Sequence, residues 1–479
     1  MSPSETPFKE CDIRGRYPDD LDEALFERIG AALGARIVEG CPATGGAAPS
    51  VLVGGDVRAS TPRLKAALLA GLGLHPLRRI DLGLVPTPVL YWAKAAREAT
   101  ACAMVTASHK PPGWNGLEFM IGERPPLPDE IAALGAGGIP PAPRYGGRPM
   151  PAVESWRAAR ESYMGELEAL FGGRGIEHLS IVLDAGNGCQ AGIASRLLAK
   201  IGAEVFALHD WPDGSFPCRH PDTARPEHLM AAREAVVHRA ATFGVAFDGD
   251  GDRLAVIDER GRVLAPEQLA MILLDGPLRP APGAAVVLDL ECSAKLETRV
   301  RAVGGVPRRS RSGRAHMKRM MIDEGAVLGV NMSGGFFLGR LDGRDDPLVI
   351  ALLLAGALAA GRFSLAGAAD SLPVMAITPD IRVPMPPEQI DAVLARCEAE
   401  AGEARVDTLD GVRLTWDDGW ALVRRSITEP ALTIRMEGED GAALAGVVER
   451  IARLVGEFGS DQCRQALMAG ADGRRQPAS

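Results

Sequence analysis

Three aspartates at alternating positions, Asp248, Asp250 and Asp252, form the segment with the clearest chemistry. Glycines separate them and an apolar run precedes them, so we expect the segment to leave a strand and converge on one point. Like charges this close repel one another, and a cation is the usual reason for placing them together. Oxygen-only ligands favour a hard ion, Mg²⁺ or Ca²⁺, over zinc. Arg253 follows and offers a planar donor fork suited to phosphate, so the segment indicates an anionic substrate beside a metal.

The acidic segment has two simpler interpretations. An EF-hand calcium loop requires glycine at its sixth position, where Arg253 stands, although Glu259 occupies the twelfth. An EF-hand is therefore a poor fit. A solvated acidic turn without a metal stays open at this stage.

A second candidate lies at residues 106–112, which also follow an apolar run. Ser108 could be a nucleophile, with the imidazole of the adjacent His109 or backbone donors orienting its hydroxyl. A turn serine or a helix-capping serine would give the same local pattern. The residues alone leave both interpretations open.

A third candidate is the segment 424–430, in which Ser426 and Thr428 follow a pair of arginines beginning at Arg424. Two hydroxyls beside two cations in a turn can hold a phosphate through side chains and backbone amides. A capping box at the start of a helix explains the segment equally well. Arg14, near the N-terminus, has by itself the pattern of an ordinary surface or salt-bridge arginine.

The chain that must position these residues has 479 residues, which is more than one core usually holds, so we expect three or four domains. A net charge of −9 argues against broad binding to nucleic acid or to a membrane surface. The eight cysteines form no CxxC pair, which favours reduced thiols in a cytoplasmic protein. No secretory signal is expected at the N-terminus. The longest apolar run, residues 348–360, is too short to span a bilayer and predicts a buried helix.

Three apolar runs, at residues 51–56, 181–186 and 286–289, each end in an acidic residue or turn and precede a helical pattern. This repetition predicts an α/β protein with three similar units, followed by a smaller C-terminal α+β domain. The expected division is 1–153 with the serine loop, 154–257 with the metal-binding loop, 258–370 as the third α/β unit, and 371–479 with the candidate phosphate-binding segment.

Taken in order, these segments resemble the α-D-phosphohexomutase family, the phosphomannomutase/phosphoglucomutase enzymes, nearly from end to end. The matching segments are CDIRG (11–15), VPTPVLYWA (85–93), TASHKPPGWNG (106–116), DAGNG (184–188), DGSFPCRHPDTARPEHL (213–229), DGDGDR (248–253), MSGG (332–335) and RRSITEP (424–430). The resemblance implies four domains around a central cleft. It also implies a mutase that interconverts sugar 1-phosphate and 6-phosphate through a phosphoserine and a sugar bisphosphate.

The resemblance also implies a role for each candidate residue. Ser108 would hold the phosphoryl group, and one of its phosphoserine oxygens would join the aspartates around Mg²⁺. Arg14 and Arg253 would lie near the transferred phosphoryl group, together with His109. The remaining implied residues would bind the sugar or its distal phosphate: Asn331, Ser333, Arg314, Arg424, Ser426 and Thr428. Small phosphosugars are the implied partners, with no nucleic acid and no membrane.

The chain departs from the family pattern at residues that would recognise the sugar. Asn331 replaces a glutamate and Gly335 a histidine, and Arg314 stands in place of a histidine. Glu118 and Glu291 each replace an active-site lysine. One interpretation is drift with local compensation, for example by Arg314 and Lys110. Others are a mutase for a sugar other than glucose or mannose phosphate, an inactive relative that still binds phosphosugars, or a phosphatase-like enzyme.

Overall fold

The computed structural model describes residues 6–40, 48–136, 152–361, 363–426, 430–456 and 461–465. Within them the chain forms four separate β-sheets, each accompanied by helices. The first three sheets contain parallel strands connected through helices, whereas the fourth is antiparallel. The predicted α/β architecture with a smaller α+β unit at the C-terminus is confirmed.

The first unit has six strands in the order β1-β5-β4-β2-β3-β6. Its elements are β1 (Ile13–Arg16), α1 (Glu23–Gly40), β2 (Ser50–Gly55), α2 (Thr61–Leu72), β3 (Arg78–Leu84), α3 (Thr87–Ala96), β4 (Ala101–Val105), β5 (Trp114–Ile121), α4 (Pro128–Ala136) and β6 (Glu154–Ser155). Helix α2 buries Leu64, Leu68 and Leu72 on one face, as their spacing predicts. Strands β2 and β4 run parallel, so the loops that follow them leave the same edge of the sheet.

The second unit contains a four-stranded sheet in the order β10-β9-β7-β8. Its elements are α5 (Ala159–Phe171), β7 (Ser180–Asp184), α6 (Ala194–Lys200), β8 (Glu204–Leu208), α7 (Met230–His238), β9 (Phe243–Phe247) and β10 (Leu254–Asp258). Glu154 and Ser155 pair with β3 and complete the first sheet, and helix α5 begins after them at Ala159. Strands β9 and β10 form an antiparallel hairpin, and the acidic segment is its loop.

The third unit has a five-stranded sheet in the order β12-β11-β13-β14-β15. Its elements are α8 (Pro266–Asp275), β11 (Ala285–Asp289), α9 (Ala294–Ala302), β12 (Val306–Ser310), α10 (Arg314–Asp323), β13 (Leu328–Val330), β14 (Phe336–Leu338), β15 (Arg344–Asp345), α11 (Pro347–Ala359) and α12 (Leu365–Ser371). Helix α11 is the buried helix that the apolar run predicts. Among the described residues, no helix has the length and apolar character needed to cross a membrane.

The fourth unit is a sheet in the order β16-β21-β20-β19-β18, with β17 also paired to β21. Its elements are β16 (Ala376–Ile377), β17 (Ile381–Pro384), α13 (Pro387–Ala399), β18 (Arg405–Asp407), β19 (Val412–Trp416), β20 (Gly419–Arg425), β21 (Ala431–Gly438) and α14 (Gly441–Val455). Short 3₁₀ turns elsewhere in the chain lie at Ile176–His178, Pro226–Leu229 and Gly339–Leu341.

The units are joined in two different ways. One continuous apolar core runs through the first three units and includes Leu52, Leu183 and Leu288. The fourth unit packs around a core of its own, centred on residues such as Ile434 and Val448. Its contacts with the third unit combine an apolar cluster of Leu290, Trp420 and Leu422 with buried charged and polar pairs such as Arg424–Glu291.

Candidate active site

Each of the four units contributes a candidate segment at the end of a strand. Ser108 follows β4, and the acidic loop 248–253 joins β9 to β10. The loop that follows β13 begins at Asn331, and Ser426 follows β20. Because strand ends carry loops out of the sheets, these positions leave the side chains available to a ligand.

Ser108 lies at the junction between the first two units. Its backbone is in the left-handed region at φ 49°, and its N–H donates to Thr106 Oγ1 at 2.8 Å. The Ser108 hydroxyl donates to Asp248 Oδ2 at 2.9 Å, and His109 Nδ1 lies 3.4 Å from Ser108 Oγ. The side chain caps no helix, so the helix-cap interpretation is wrong. The hydroxyl is instead bonded directly to the acidic loop.

Arg58 holds the serine loop in place, and sequence reasoning missed it. Its guanidinium donates to the backbone oxygens of Ser108 and Trp114 at 2.9 and 3.1 Å, and also to that of Pro111. Asp56 accepts from Arg58 Nε at 2.9 Å and fixes the guanidinium. The sequence does show an arginine two residues after an aspartate at the end of a strand. Which loop this arginine contacts is visible only in the fold.

His109 is held as a neutral imidazole. Burial lowers its pKa well below the usual range, and the nearby positive charges of Arg253 and Arg14 lower it further. A neutral ring can accept or donate one hydrogen bond beside Ser108 without adding charge.

The acidic loop is buried, and the interpretation as a solvated turn is therefore wrong. Asp248 and Asp250 are 0% exposed and Asp252 is 3% exposed. Asp248 Oδ1 accepts from the backbone N–H groups of Gly251, Asp252 and Arg253 at 3.0, 3.0 and 3.2 Å. These bonds shape the loop and turn the other Asp248 oxygen toward Ser108.

The acidic loop leaves oxygen atoms that suit a cation. Asp250 Oδ2 accepts from Thr87 Oγ1 at 2.8 Å, but Asp250 Oδ1 and Asp252 Oδ1 are buried without a hydrogen-bond partner. Burial, with the charge of Asp252 next, raises the pKa of Asp248 to about 7 and that of Asp250 well above its usual range. A divalent ion would satisfy the unpaired oxygens and offset this repulsion. The donor set, which is oxygen alone, fits a hard ion.

Glu118 lies beside this loop, and the sequence did not indicate it as a ligand. Oxygens of Glu118, Asp250 and Asp252 all lie within 4.8 Å of one another, a spacing that could hold a metal. Burial raises the pKa of Glu118 to about 7. Nothing in the spacing of residue 118 shows this proximity, because it arises only when the first and second units dock.

Arg314 connects three units at this point. Its Nη1 lies 2.7 Å from Asp252 Oδ2 and also contacts Glu118 Oε2, while Nη2 donates to Asp345 Oδ1 at 2.9 Å. Arg14 lies 3.5 Å from Glu118 Oε1 and 2.6 Å from Asp12 Oδ2 and is 7% exposed, so it is a buried salt-bridge arginine and not a surface one. The interpretation in which Arg314 compensates for Glu118 is consistent with these contacts.

Arg253 extends past the acidic loop and is the most exposed arginine of this group. Its side chain is 21% exposed, and its Nε lies 3.8 Å from Asp252 Oδ1. This position leaves much of the guanidinium able to meet an anion that approaches Ser108.

The loop predicted to bind sugar is organised by its own side chains. Asn331 Oδ1 accepts from the Ser333 N–H at 3.1 Å, the Ser333 hydroxyl at 2.9 Å and the Gly335 N–H at 2.9 Å. Gly334, at φ 87°, has no space for a side chain, because a Cβ there would lie 2.6 Å from Leu254 O. The loop is therefore tightly closed against the β10 strand.

The predicted phosphate loop lies in a hairpin. Strands β20 and β21 pair up to Arg425 and Leu432, and the Ser426 N–H donates to Ala431 O at 2.8 Å. The alternative of a capping box at a helix start is therefore wrong. Thr428 lies outside the residues that the structure describes. Arg424 Nε donates to Glu291 Oε1 at 2.9 Å, so this arginine is paired with the third unit.

Models for the four domains of one family match in order, as "Phosphoglucomutase/phosphomannomutase, alpha/beta/alpha domain" I over residues 5–134, II over 162–261 and III over 265–374, and as its C-terminal domain over 381–454. The chain belongs to the phosphoglucomutase/phosphomannomutase family.

Individual relatives of this family align over most of the chain. The phosphomannomutase/phosphoglucomutase of Pseudomonas aeruginosa is 32% identical over 449 residues, covering 90% of this chain and 91% of that protein. A phosphoglucomutase of Neisseria gonorrhoeae is 30% identical over 458 residues, covering 94% and 96%. The crystal structure of a phosphoglucomutase/phosphomannomutase family protein from Burkholderia thailandensis superposes with a TM-score of 0.80 at 31% identity, covering 98% of both chains.

Membership of the phosphoglucomutase/phosphomannomutase family confirms the predicted fold, family and enzymatic class of a phosphosugar mutase. The cluster of Glu118, Asp250 and Asp252 could hold a metal ion, which agrees with a metal-dependent family. The role of each residue depends on its own contacts in this chain.

Proposed function

We propose that this family member is a Mg²⁺-dependent phosphosugar mutase that works through a phosphoserine at Ser108. The observation that carries the proposal is the 2.9 Å contact from the Ser108 hydroxyl to Asp248 at the buried acidic loop. A nucleophilic oxygen, a cation site and two arginines then surround one point, as phosphoryl transfer requires.

The proposed transfer exchanges one oxygen–phosphorus bond for another. The phosphoryl group leaves Ser108 Oγ as a sugar hydroxyl oxygen bonds to the phosphorus, and the proton of that hydroxyl ends on Ser108 Oγ. The bisphosphorylated sugar then returns its other phosphate to Ser108 by the reverse exchange. Arg253, partly exposed beside the loop, and the buried Arg14 are placed to balance charge on the phosphoryl oxygens. His109 is proposed to orient Ser108 as a neutral ring.

The metal ligands in this proposal are Asp248, Asp250 and Asp252, together with a phosphoryl oxygen on Ser108. Mg²⁺ bound there would supply positive charge to the group being transferred. The residues fit such an ion because two of their buried oxygens lack a hydrogen-bond partner. Thr87 and Thr106 position Asp250, with hydroxyls 2.8 and 3.2 Å from its Oδ2.

The substrate would be held at its sugar and at its distal phosphate. Arg424, Ser426 and Thr428 are proposed for the phosphate, and Asn331 and Ser333 for the sugar. Arg314 would border the sugar site as well. Because Asn331 Oδ1 already accepts three bonds within its own loop, its amide nitrogen is the group offered to a sugar.

The proposal includes four functional units, which are residues 1–153, 154–257, 258–370 and 371–479. Each would supply one loop to a shared cleft, the serine, metal, sugar and phosphate loops in that order. A cytoplasmic location also stays a proposal, supported by free thiols at all seven described cysteines.

A panel of sugar 1-phosphates, assayed with Mg²⁺ and a trace of the matching sugar bisphosphate, tests the function. We expect conversion to the 6-phosphate with at least one sugar, and the loop around Asn331 makes a sugar other than glucose or mannose a candidate. Release of inorganic phosphate in place of isomer would favour the phosphatase-like alternative. Binding without turnover across the panel would favour a non-catalytic relative.

A further inference from the structure

Arg424, proposed to hold the distal phosphate, is already bonded to a carboxylate of the third unit. Glu291 Oε1 accepts from Arg424 Nε at 2.9 Å and also from Nη2, so a single oxygen lies in the fork of the guanidinium. The two side chains are 9% and 10% exposed. Carboxylate and phosphate oxygens use the same fork, so they cannot both hold these N–H groups.

The surroundings of this pair are rich in carboxylates. Asp289 Oδ1 accepts from the Glu291 N–H at 3.1 Å and from the Ser312 hydroxyl at 2.7 Å. Asp410 Oδ2 accepts from the Ser312 N–H at 3.2 Å and adds its charge near Arg424. A phosphate dianion that entered here beside an ionised Glu291 would meet strong repulsion over a few ångströms.

We propose that Glu291 is an internal competitor for the distal phosphate, which must displace the Glu291 carboxylate from Arg424 in order to bind. This inference rests on the proposed function, because it assigns Arg424 to the phosphate. A competitor of this kind has a use in a mutase. The bisphosphorylated sugar must release its distal phosphate to turn over, and the returning carboxylate would refill the fork that the phosphate leaves.

The test measures binding of glucose 1,6-bisphosphate by calorimetry with Mg²⁺, in a Ser108→Ala background that prevents turnover. Both phosphates of this probe need a subsite, so the distal one is always sampled. We expect Glu291→Gln to bind at least about tenfold more tightly, because one like charge at contact distance is removed. The amide oxygen of Gln can still accept from Arg424, which keeps the buried arginine paired. Circular dichroism and a melting curve check that each variant is folded.

Two further variants separate the possible results. Arg424→Gln should weaken binding whether residue 291 is Glu or Gln. Glu267→Gln is the control, because it removes a buried carboxylate that pairs with Arg435 at 3.1 Å on the same interface. This control should change the affinity by no more than about twofold. Binding that depends on Arg424 but is not tighter in Glu291→Gln overturns the competitor and leaves the mutase proposal intact. Absence of binding in every variant, for this probe and for the bisphosphates of the other sugars in the panel, contradicts the proposed function itself, and the competitor with it.

Discussion

At the scale of single residues, the two acidic replacements lie against arginines of the site. Glu118 contacts Arg314 and Arg14, and Glu291 contacts Arg424. Removing one partner of a buried ion pair leaves an uncompensated charge, which costs more than losing the pair as a whole. Mutations of each glutamate and of the arginine that it contacts should therefore have non-additive effects on stability.

A double-mutant cycle with Glu118→Gln and Arg314→Met tests this coupling. We expect an interaction free energy of at least about 1.5 kcal/mol by chemical denaturation, because the two side chains are only 18% and 10% exposed and water screens their attraction little. The exposed pair of Arg78 and Glu154 is the control, with side chains 53% and 46% exposed. Its coupling should stay below about 1 kcal/mol, and equal values for both cycles would contradict the argument.

Arg58 should matter to catalysis without touching the substrate. In Arg58→Met the serine loop loses its donors and Asp56 loses its partner, so we expect stability to fall by about 3–5 kcal/mol. At a temperature where the variant is folded, kcat/KM should still fall by about 100-fold, because Ser108 is misplaced. Arg28→Met, an exposed change on α1, is the matched control. Full activity in folded Arg58→Met would show that the loop does not depend on this anchor.

At the scale of elements, helix α11 begins at a buried carboxylate. Asp346 accepts from the Val349 N–H at 3.2 Å, as a helix N-cap, and from the Tyr163 hydroxyl at 2.8 Å. Burial raises the pKa of Asp346 to about 6. The folded state therefore favours the protonated carboxyl, and the associated stability is present below about pH 4 and is lost as the pH rises through about 6.

Asp346→Asn keeps the hydrogen-bond acceptor and removes the charge. The stability of the variant relative to wild type should rise by about 1 kcal/mol when the pH is raised from 5 to 7.5, because only the wild type ionises a buried group over that range. Denaturation at both pH values measures the change. The exposed Asp129→Asn serves as the control and should give the same difference at each pH. A flat profile for Asp346→Asn would mean that the carboxyl ionises without cost.

At the scale of the whole molecule, the site forms where loops from different sheets meet. Strand ends, turns and the apolar face of α2 follow local rules, so the sequence alone could predict them. The contact of Glu118 with the acidic loop, and the reach of Arg58 to Trp114, depend on how elements dock and have no local signal. The pairing of Glu154 with the first sheet is of the same kind, because short strands are defined by their partners.

A metal that bridges this junction should stabilise the whole chain. We expect EDTA to lower the melting temperature and Mg²⁺ to restore it, with about 2.7 kcal/mol gained when the ion is 100-fold above its dissociation constant. In Asp250→Asn this response should disappear. In EDTA, however, the variant should be at least as stable as wild type, since a repelling buried charge is gone. An equal Mg²⁺ response in both proteins would exclude Asp250 as a ligand.

The central claim is that Ser108 carries the phosphoryl group, and intact-mass spectrometry tests it most directly. The protein would be incubated with Mg²⁺ and a mixture of the bisphosphates of the panel sugars, with the Ser108→Ala variant treated in parallel. We predict that wild type gains the mass of one phosphoryl group, located at Ser108 by peptide mapping, and that the variant gains none. An unmodified wild-type mass, or an equal gain in Ser108→Ala, would contradict the account.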